Sequence, residues 1–301
     1  MSEIAIKPQK DLLDSITSDF LWFKLNQLPS GGNAVINNES GKILSGDLAL
    51  IGTSQADTDF TTNNGWYETA DGSRDVCYEN YTAANSTEVA GSIQEVCRLD
   101  TLRDVGGVFV INAWIDMNAA GSGTEHIACY SANDTGASTP VETATNSFGG
   151  WDFYLINNIT HFYFTHTDSE TNADVDTYGQ ALTAGIHMVS AVIDLASTTP
   201  NVTIYTDGVA DASGNAQKNL VASAICRGDS ARGFRLLGKD SAVGSSGSVQ
   251  EWGNNASSAL HGVNNISLWR FESDLTSDIP QMIADLYSTK RGLLPASFWG
   301  V

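Results

Sequence analysis

Paired carboxylates are the first chemistry to look for, because the chain has 35 acidic and only 15 basic residues. A glycoside hydrolase needs two carboxyl groups facing one cleft, and alternate positions of one strand would place them on one face. The patterns Glu-x-Asp-x-Glu and Glu-x-Asp-x-x-Glu are both absent. The nearest acidic cluster runs from Glu170 to Asp176 and lacks the second Glu. We interpret it as a solvated, turn-like stretch and predict no catalytic residue.

Other catalytic signatures are also missing. The chain has neither the Gly-x-Ser-x-Gly turn of a serine nucleophile nor a His-Glu-x-x-His metal motif, and it lacks the Gln-x-His strand of alginate lyases. The five histidines are His126, His161, His166, His187 and His261. They show no ligand spacing, so we interpret them as structural or surface residues. His161 and His166 are five positions apart, which in one strand places them on opposite faces.

Calcium is the one metal that the composition favours, because carboxylate oxygens are its preferred ligands. The acidic positions that we single out are Asp57, Asp59, Asp168, Asp174 and Asp176. No EF-hand loop occurs, and turns rich in Asp and Asn are common in any β-protein. These acidic residues are therefore interpreted either as a calcium site or as solvated turns, and no cofactor is predicted firmly.

Aromatic side chains in loops are candidates for stacking on sugar rings, with nearby polar groups as hydrogen-bond partners. The positions that lie in loop-like stretches are Trp66, Tyr67, Tyr78, Tyr81 and Trp252. Trp114, Trp151 and Trp269 lie within apolar runs, which predicts that they belong to the core.

The composition favours strands joined by many turns. Of 301 residues, 42% are hydrophobic and only 17% are charged, so polarity comes mainly from Ser, Thr, Asn and Gly. That balance suits a β-protein rather than a helical bundle, whose exposed faces favour Glu and Lys. The predicted strands cover residues 20–25, 108–116, 126–130, 151–156, 159–164, 186–194, 202–206, 234–238 and 265–271.

Two dipeptides predict tight hairpins within this set. Asn157-Asn158 and Asp207-Gly208 each separate two apolar runs, and these residue types tolerate the positive φ that a two-residue hairpin turn requires. Residues 52–100 and 133–150 lack such patterns and are interpreted as irregular. Ser277 is placed to cap a short helix that runs to about Tyr287 with an apolar stripe.

The chain divides into an N-terminal arm at residues 1–18 and one domain at residues 19–301. The arm is either a terminus packed on the body or a docking arm for an assembly. Its residues lack the basic and apolar regions of a secretory signal, so we expect the protein to act where it is made or to leave by another route. Cys77 and Cys97 are the pair to test for a disulfide, although we expect free thiols.

The formal net charge of −20 repels nucleic acid, which excludes that partner class. The chain has no run of about 18 apolar residues, so no membrane span is predicted.

Five segments, in this order, resemble the laminin-G-like, concanavalin A-like jelly-roll superfamily. They are FLWFKL at 20–25 with the turn NESG at 38–41, FVINAWI at 109–115, LTAGIHMVSAVID at 182–194, VTIYTDG at 202–208, and NNISLWR at 264–270 with the helix that follows. Ile186 stands where the family usually has Trp, and Asn38 where Asp is common. The resemblance implies an all-β fold of two curved antiparallel sheets, with sugar-binding or protein-binding loops and sometimes one calcium ion.

Similar modules recur in bacteriophage virion proteins. We therefore expect a non-enzymatic structural or decoration protein of a virus particle, assembled in the host cytoplasm. Its partners would be other capsid or tail proteins, further copies of itself and surface glycans. The alternatives are a bacterial carbohydrate-binding adhesion module that acts outside the cell, and a glycan-cleaving enzyme with an unfamiliar active site.

Overall fold

The structure is a computed structural model that describes part of the chain. The described residues are 19–23, 34–35, 39–40, 48–52, 60–63, 66–69, 76–79, 108–117, 124–130, 150–167, 172–194, 197–219, 234–236, 238–240, 249–251, 262–271 and 279–289. The predicted N-terminal arm, Ser277 and residues 290–301 lie outside them.

The described residues form antiparallel strands and one helix, which confirms the all-β class. The strands are β1 Asp19–Phe23, β2 Ala34–Val35, β3 Glu39–Ser40, β4 Leu48–Gly52, β5 Phe60–Asn63, β6 Trp66–Thr69, β7 Val76–Glu79, β8 Val108–Met117, β9 Thr124–Tyr130, β10 Gly150–Ile156, β11 Ile159–Thr167, β12 Asn172–Ala181, β13 Gly185–Asp194, β14 Asn201–Thr206, β15 Val209–Ala210, β16 Gln217–Asn219, β17 Phe234–Leu236, β18 Gly238–Asp240, β19 Val249–Glu251 and β20 Gly262–Phe271; the helix is α1 Ile279–Thr289.

The first sheet has ten strands, and its main path runs β15-β14-β13-β8-β20-β1-β3. Strand β8 lies in the middle, and all but one of its ten residues are buried. A strand with apolar side chains on both faces is expected where both faces are covered. The N-terminal strand β1 pairs with β20 near the other end of the chain, so the sheet closes only after most of the sequence is in place.

The second sheet has eight strands in the order β12-β11-β10-β9-β17-β7-β4-β2. Strands β9 to β12 form a continuous meander, in which each strand pairs with its neighbour in sequence. Its inner face is mainly apolar, with Phe153 and Phe162 both fully buried. The rings of Phe109 in the first sheet and Trp151 in the second lie 5.9 Å apart, which identifies the faces that form the shared core.

The predicted hairpin turns are confirmed. Asn157 and Asn158 have φ of 49° and 66°, and Asp207 and Gly208 have φ of 53° and 82°. Asn and Asp tolerate this left-handed region better than other residues with side chains, because their short polar groups bond locally. The turns therefore set the registers of β10 with β11 and of β14 with β15.

Helix α1 packs on the outer face of the first sheet, which faces away from the second sheet. Ile279, Ile283 and Leu286 are buried, as the predicted stripe requires. The ring of Tyr287 stacks on Trp114 of β8 at a centroid distance of 5.9 Å and an angle of 17°. The helix thereby covers one end of the sheet.

Two predicted irregular stretches are corrected. Residues 52–100 include the strands β5, β6 and β7, and the acidic stretch that was interpreted as turn-like lies largely in the edge strand β12. The physical reason in β12 is the alternation of Ala173, Val175 and Thr177 with polar residues, which suits a strand with one buried face. The predicted strand at 234–238 is divided between β17 and β18, which belong to different sheets.

The cysteine prediction stays open. Cys77 lies in β7 and Cys129 in β9, whereas Cys97 and Cys226 lie outside the described residues. Among the described residues, no helix combines the length and apolar character that crossing a lipid bilayer requires.

Candidate functional site: a ladder of stacked rings

Four ring side chains form a ladder across the outer face of the second sheet. They are His126 on β9, Tyr154 on β10, His161 on β11 and Tyr178 on β12. Successive ring centroids are 5.5, 5.2 and 5.1 Å apart, with angles of 28°, 26° and 24° between planes. These are offset-stacked distances, so each ring fixes the position of the next.

The ladder depends on two irregularities in the strand pairing. Phe153 lies opposite Ala128, but Tyr154 lies opposite His126, so Ile127 is an extra residue in β9. On the other side, Ile159 lies opposite Ala181 and His161 opposite Tyr178.

The second irregularity is an extra residue in β12. A bulge of this kind moves the side chains that follow to the other face. Without the two bulges, Ile127 would oppose Tyr154, and Gly179 would oppose His161.

Two aspartates hold the histidines of the ladder. Nδ1 of His126 donates to Asp152 at 2.9 Å, and Nδ1 of His161 donates to Asp176 at 3.0 Å. The first pair is buried, with side chains 2% and 5% exposed, whereas the carboxylate of Asp176 is 40% exposed. A donor bond at one ring nitrogen fixes the orientation of the imidazole, so the rings are held both by stacking and by hydrogen bonds.

Tyr154 lies between the two carboxylates and cannot act as a base. Burial raises the pKa of its phenol far above the ordinary value, and the nearby charges of Asp176 and Asp152 raise that pKa further. A general base must lose its proton near the working pH. Tyr154 therefore keeps its proton at neutral pH and serves as a hydrogen-bonding ring within the ladder.

The ladder opens to solvent at its β12 end. Tyr178 and Tyr163 are half-buried, and Gln180 is exposed. Tyr163 lies directly opposite Asp176 in the pairing of β11 with β12. This end combines half-buried tyrosine rings with a carboxylate, which are groups that recognise the apolar face and the hydroxyls of a sugar.

The loop that follows β15 holds the edge of β12 in place. The amide of Tyr178 donates to the carbonyl of Asn215 at 3.1 Å, and the hydroxyl of Ser213 donates to the carbonyl of Tyr178 at 3.1 Å. The amide of Gln180 donates to Asp211 at 2.7 Å. A Cβ on Gly179 would lie 2.6 Å from that carboxylate, so glycine permits the close approach.

The residues predicted for sugar contact are not brought together in the ladder. Trp66 and Tyr67 lie in β6 and Tyr78 lies in β7, so the expectation that these three belong to loops is wrong. Tyr81 and Trp252 lie outside the described residues. The sugar-contact role of all five stays a prediction.

The structure describes only some of the residues predicted to bind calcium. Asp168 lies outside the described residues, Asp174 lies on β12 opposite Thr165, and Asp176 bonds to His161. Within the ranges that the structure describes, no group of three or more His, Cys, Asp or Glu side chains is arranged to hold a metal ion. Calcium binding therefore remains a prediction from composition.

The site consists of the four rings, Asp152 and Asp176, and only Asp176 was predicted from the sequence as a site residue. The neighbouring Tyr163 was not predicted either. The signal was present, because Tyr154, His161, Tyr163 and Tyr178 occupy alternating positions within predicted or overlooked strands. It was not sufficient, because alternation does not reveal which strand lies beside which.

A third His–Asp pair lies at the end of the first sheet. Nδ1 of His187 donates to Asp207 at 2.9 Å, and Nε2 donates to the carbonyl of Thr183 at 3.0 Å. The hydrogen bond to Asp207 raises the pKa of His187, although burial opposes the shift. Both ring nitrogens donate, which is the arrangement of an imidazolium, so this pair clamps a turn rather than providing a free base.

The fold resembles solved structures of botulinum neurotoxin binding domains. A structure of botulinum neurotoxin type C, described as depending on two ganglioside molecules to enter cells, matches with a TM-score of 0.51 at 10% identity, over 93% of this chain and 52% of that chain. The serotype C1 binding domain matches with a TM-score of 0.49 at 10% identity, over 90% and 52%. A receptor binding domain matches with a TM-score of 0.48 at 12% identity, over 92% and 52%.

This chain therefore spans about half the length of each of these structures. At such low identity the match with a TM-score of 0.51 shows a shared β-sandwich fold and nothing finer. No known protein family matches the chain, and no curated protein matches it.

Proposed function

We propose that this chain is a non-catalytic binding domain that contacts a sugar at the open end of the ring ladder and serves as a structural component of a virus particle. The observation that carries the sugar contact is the rigid row of rings that ends at half-buried Tyr178 beside the exposed carboxylate of Asp176. Such a surface is already ordered before the ligand arrives, which reduces the entropy that binding costs.

The absence of catalysis is supported by how the described titratable groups are used. His126, His161 and His187 each bond to an aspartate, and burial keeps Tyr154 protonated. These bonds fix ring positions and clamp a turn, and the sequence contains none of the paired-carboxylate, serine-nucleophile or His-Glu-x-x-His patterns.

The fold likeness to a toxin structure associated with gangliosides supports a binding role at the level of architecture. This chain spans only about half of that structure. The match therefore does not show whether the half that resembles this chain is the half that contacts gangliosides. The proposal for a sugar contact therefore depends on the ladder itself.

The virion role is supported by the jelly-roll segments, by the paucity of basic residues and by the distinct composition of residues 1–18. Its partners would be capsid or tail proteins and further copies of the chain. Mass spectrometry of purified particles from an infected host tests this role. We expect the chain to be present in stoichiometric amounts, and its absence from the particles would contradict the virion role.

A glycan array tests the sugar contact with three forms of the full chain. We expect the wild type to bind a subset of glycans, Tyr178→Phe to retain binding because the ring remains, and Tyr178→Ala to lose about tenfold or more in affinity, since stacking on an aromatic ring is worth of the order of 1 kcal/mol and its hydrogen-bonding neighbours lose their alignment. Unchanged binding by Tyr178→Ala would show that the ladder is not the contact. Turnover of any polysaccharide by the wild type would contradict the non-catalytic assignment.

A further inference from the structure

We infer that the open end of the ring ladder selects sugars without negative charge, meaning neutral hexoses and amino sugars, and rejects sialic and uronic acids. This inference rests on the proposed sugar contact and adds the ligand class to it. Three features carry the argument: the exposed carboxylate of Asp176, the buried carboxylate of Asp152, and the half-buried ring of Tyr178 at the β12 end of the face.

The exposed carboxylate is that of Asp176. Both of its oxygens lie near Nδ1 of His161, at 3.0 and 3.2 Å, and the side chain is 40% exposed. A carboxylate offers about four lone-pair sites, so one imidazole leaves acceptor capacity for a ligand. Sugar hydroxyls and protonated amines can donate to it, whereas a carboxylate of the ligand cannot.

The second carboxylate, Asp152, strengthens the negative potential of this face. Its charge and that of Asp176 both raise the pKa of Tyr154, so the fields of the two groups overlap within the ladder. The whole protein carries a formal net charge of −20, which adds long-range repulsion toward an anionic ligand.

At the β12 end of this face, the described side chains are those of His161, Tyr163, Asp176 and Tyr178, and none of them is a Lys or Arg. Arg235 of β17 lies in register with Cys129 and Asp152, four strands away from β12. A described cation that is connected to the ladder through hydrogen bonds is Lys218 on β16. Its ammonium donates to Asn215 at 3.0 Å, and the carbonyl of Asn215 accepts from the amide of Tyr178. Lys218 therefore belongs to the loop that supports the strand edge.

Tyr178 supplies the attraction that remains for a neutral sugar. Its ring stacks on His161 at a centroid distance of 5.1 Å, which leaves the ring half-buried and fixed in orientation. Contact between a ring and the C–H face of a hexose needs no charge on the ligand. The combination of a ring with an acceptor-only neighbour thus favours hydroxyl-rich, uncharged ligands.

The test uses one oligosaccharide in two forms, with and without a terminal sialic acid, titrated calorimetrically into the full chain at low salt. We expect the wild type to prefer the uncharged form by about tenfold or more, as two like charges several ångströms apart near a protein surface repel by more than thermal energy. Asp176→Asn keeps an acceptor for His161 and removes the charge, so the preference should fall severalfold. Asp285→Asn, on the exposed surface of α1, removes the same charge elsewhere and should leave the preference unchanged.

The outcomes separate the two proposals. Equal affinity for both forms, or tighter binding of the sialylated form, overturns the inference while the sugar contact stands. Loss of the preference in Asp285→Asn as well as in Asp176→Asn also overturns it, since the effect would then come from overall charge. Binding of neither form, together with an empty glycan array, overturns the proposed function.

Discussion

The outer faces of the two sheets are both buried at their centres, but by different means. On the first sheet, Trp114 is covered by Tyr287 of α1, and the hydroxyl of Ser190 donates to Asn112 in a buried hydrogen bond of 2.8 Å. This face is sealed by packing, and its polar residues Asn112, Ser190 and Ser267 are all buried.

On the second sheet, the outer face holds the ring ladder with its two aspartates. His126 and Asp152 are buried as a pair, while the row continues outward to half-buried Tyr178 and to the exposed carboxylate of Asp176. This difference shows that burial alone does not identify a face that serves only stability. A face that is sealed serves stability, whereas a face whose ordered rings reach solvent at one end is suited to recognition.

The largest expected effect is on the sealed face. Trp114→Ala removes a ring that is 1% exposed and should lower the free energy of unfolding by about 3–5 kcal/mol. Chemical denaturation measures it, with Trp114→Phe as the milder control because a ring remains against Tyr287. A loss below about 1 kcal/mol would mean that this face contributes little to stability and would break the contrast.

The next effect concerns the turn on which the helix rests. Gly208 has φ of 82°, and a Cβ there would lie 2.9 Å from Cβ of Tyr287. Gly208→Ala should therefore cost about 1–3 kcal/mol, because strain in the left-handed region adds to a clash with the helix. Gly214→Ala is the matched control, since an added Cβ meets nothing within 4 Å, and it should change stability by less than about 0.5 kcal/mol.

A smaller loss of stability is expected on the open face. Tyr178→Ala removes one half-buried ring from the end of the ladder and should cost about 0.5–1.5 kcal/mol, the range for a single aromatic contact. The same denaturation series measures it beside Trp114→Ala. If the two variants lost equal stability, the ladder would be a second sealed face and its role in recognition would lose its support.

The smallest effect is a dependence on pH at the clamp between His187 and Asp207. Because the pKa of folded His187 lies above the ordinary value of 6.5, its contribution is complete below that pH and is lost as pH rises through the folded pKa. The free energy of unfolding should decline over this window in the wild type. His187→Gln and Asp207→Asn should both flatten the decline, and an unchanged slope in both would show that the clamp does not titrate with folding.

Much of the architecture follows from local patterns. The run at residues 108–116 is apolar on both faces and becomes the central strand β8, and Asp207-Gly208 becomes the predicted hairpin turn. One equally local signal was overlooked: Asn64-Gly65 separates β5 from β6, which pair with Asn63 opposite Trp66. The strand β12 is not predicted, because acidic residues alternate with only small or few apolar residues and make its pattern resemble a solvated turn.

The alternation of apolar residues and the residue types at turns are local properties. The amino-acid sequence by itself therefore determines the all-β class, the hairpins and the apolar stripe of the helix. The ladder is a different kind of feature. A regular register would put Ile127 and Gly179 beside Tyr154 and His161, and one extra residue in each of β9 and β12 brings His126 and Tyr178 there instead. An inserted residue reverses the face that every later side chain of the strand occupies. The fit of the neighbouring strands and of the loop that contains Asp211 decides where that residue is inserted. The site therefore exists only in the folded sheet.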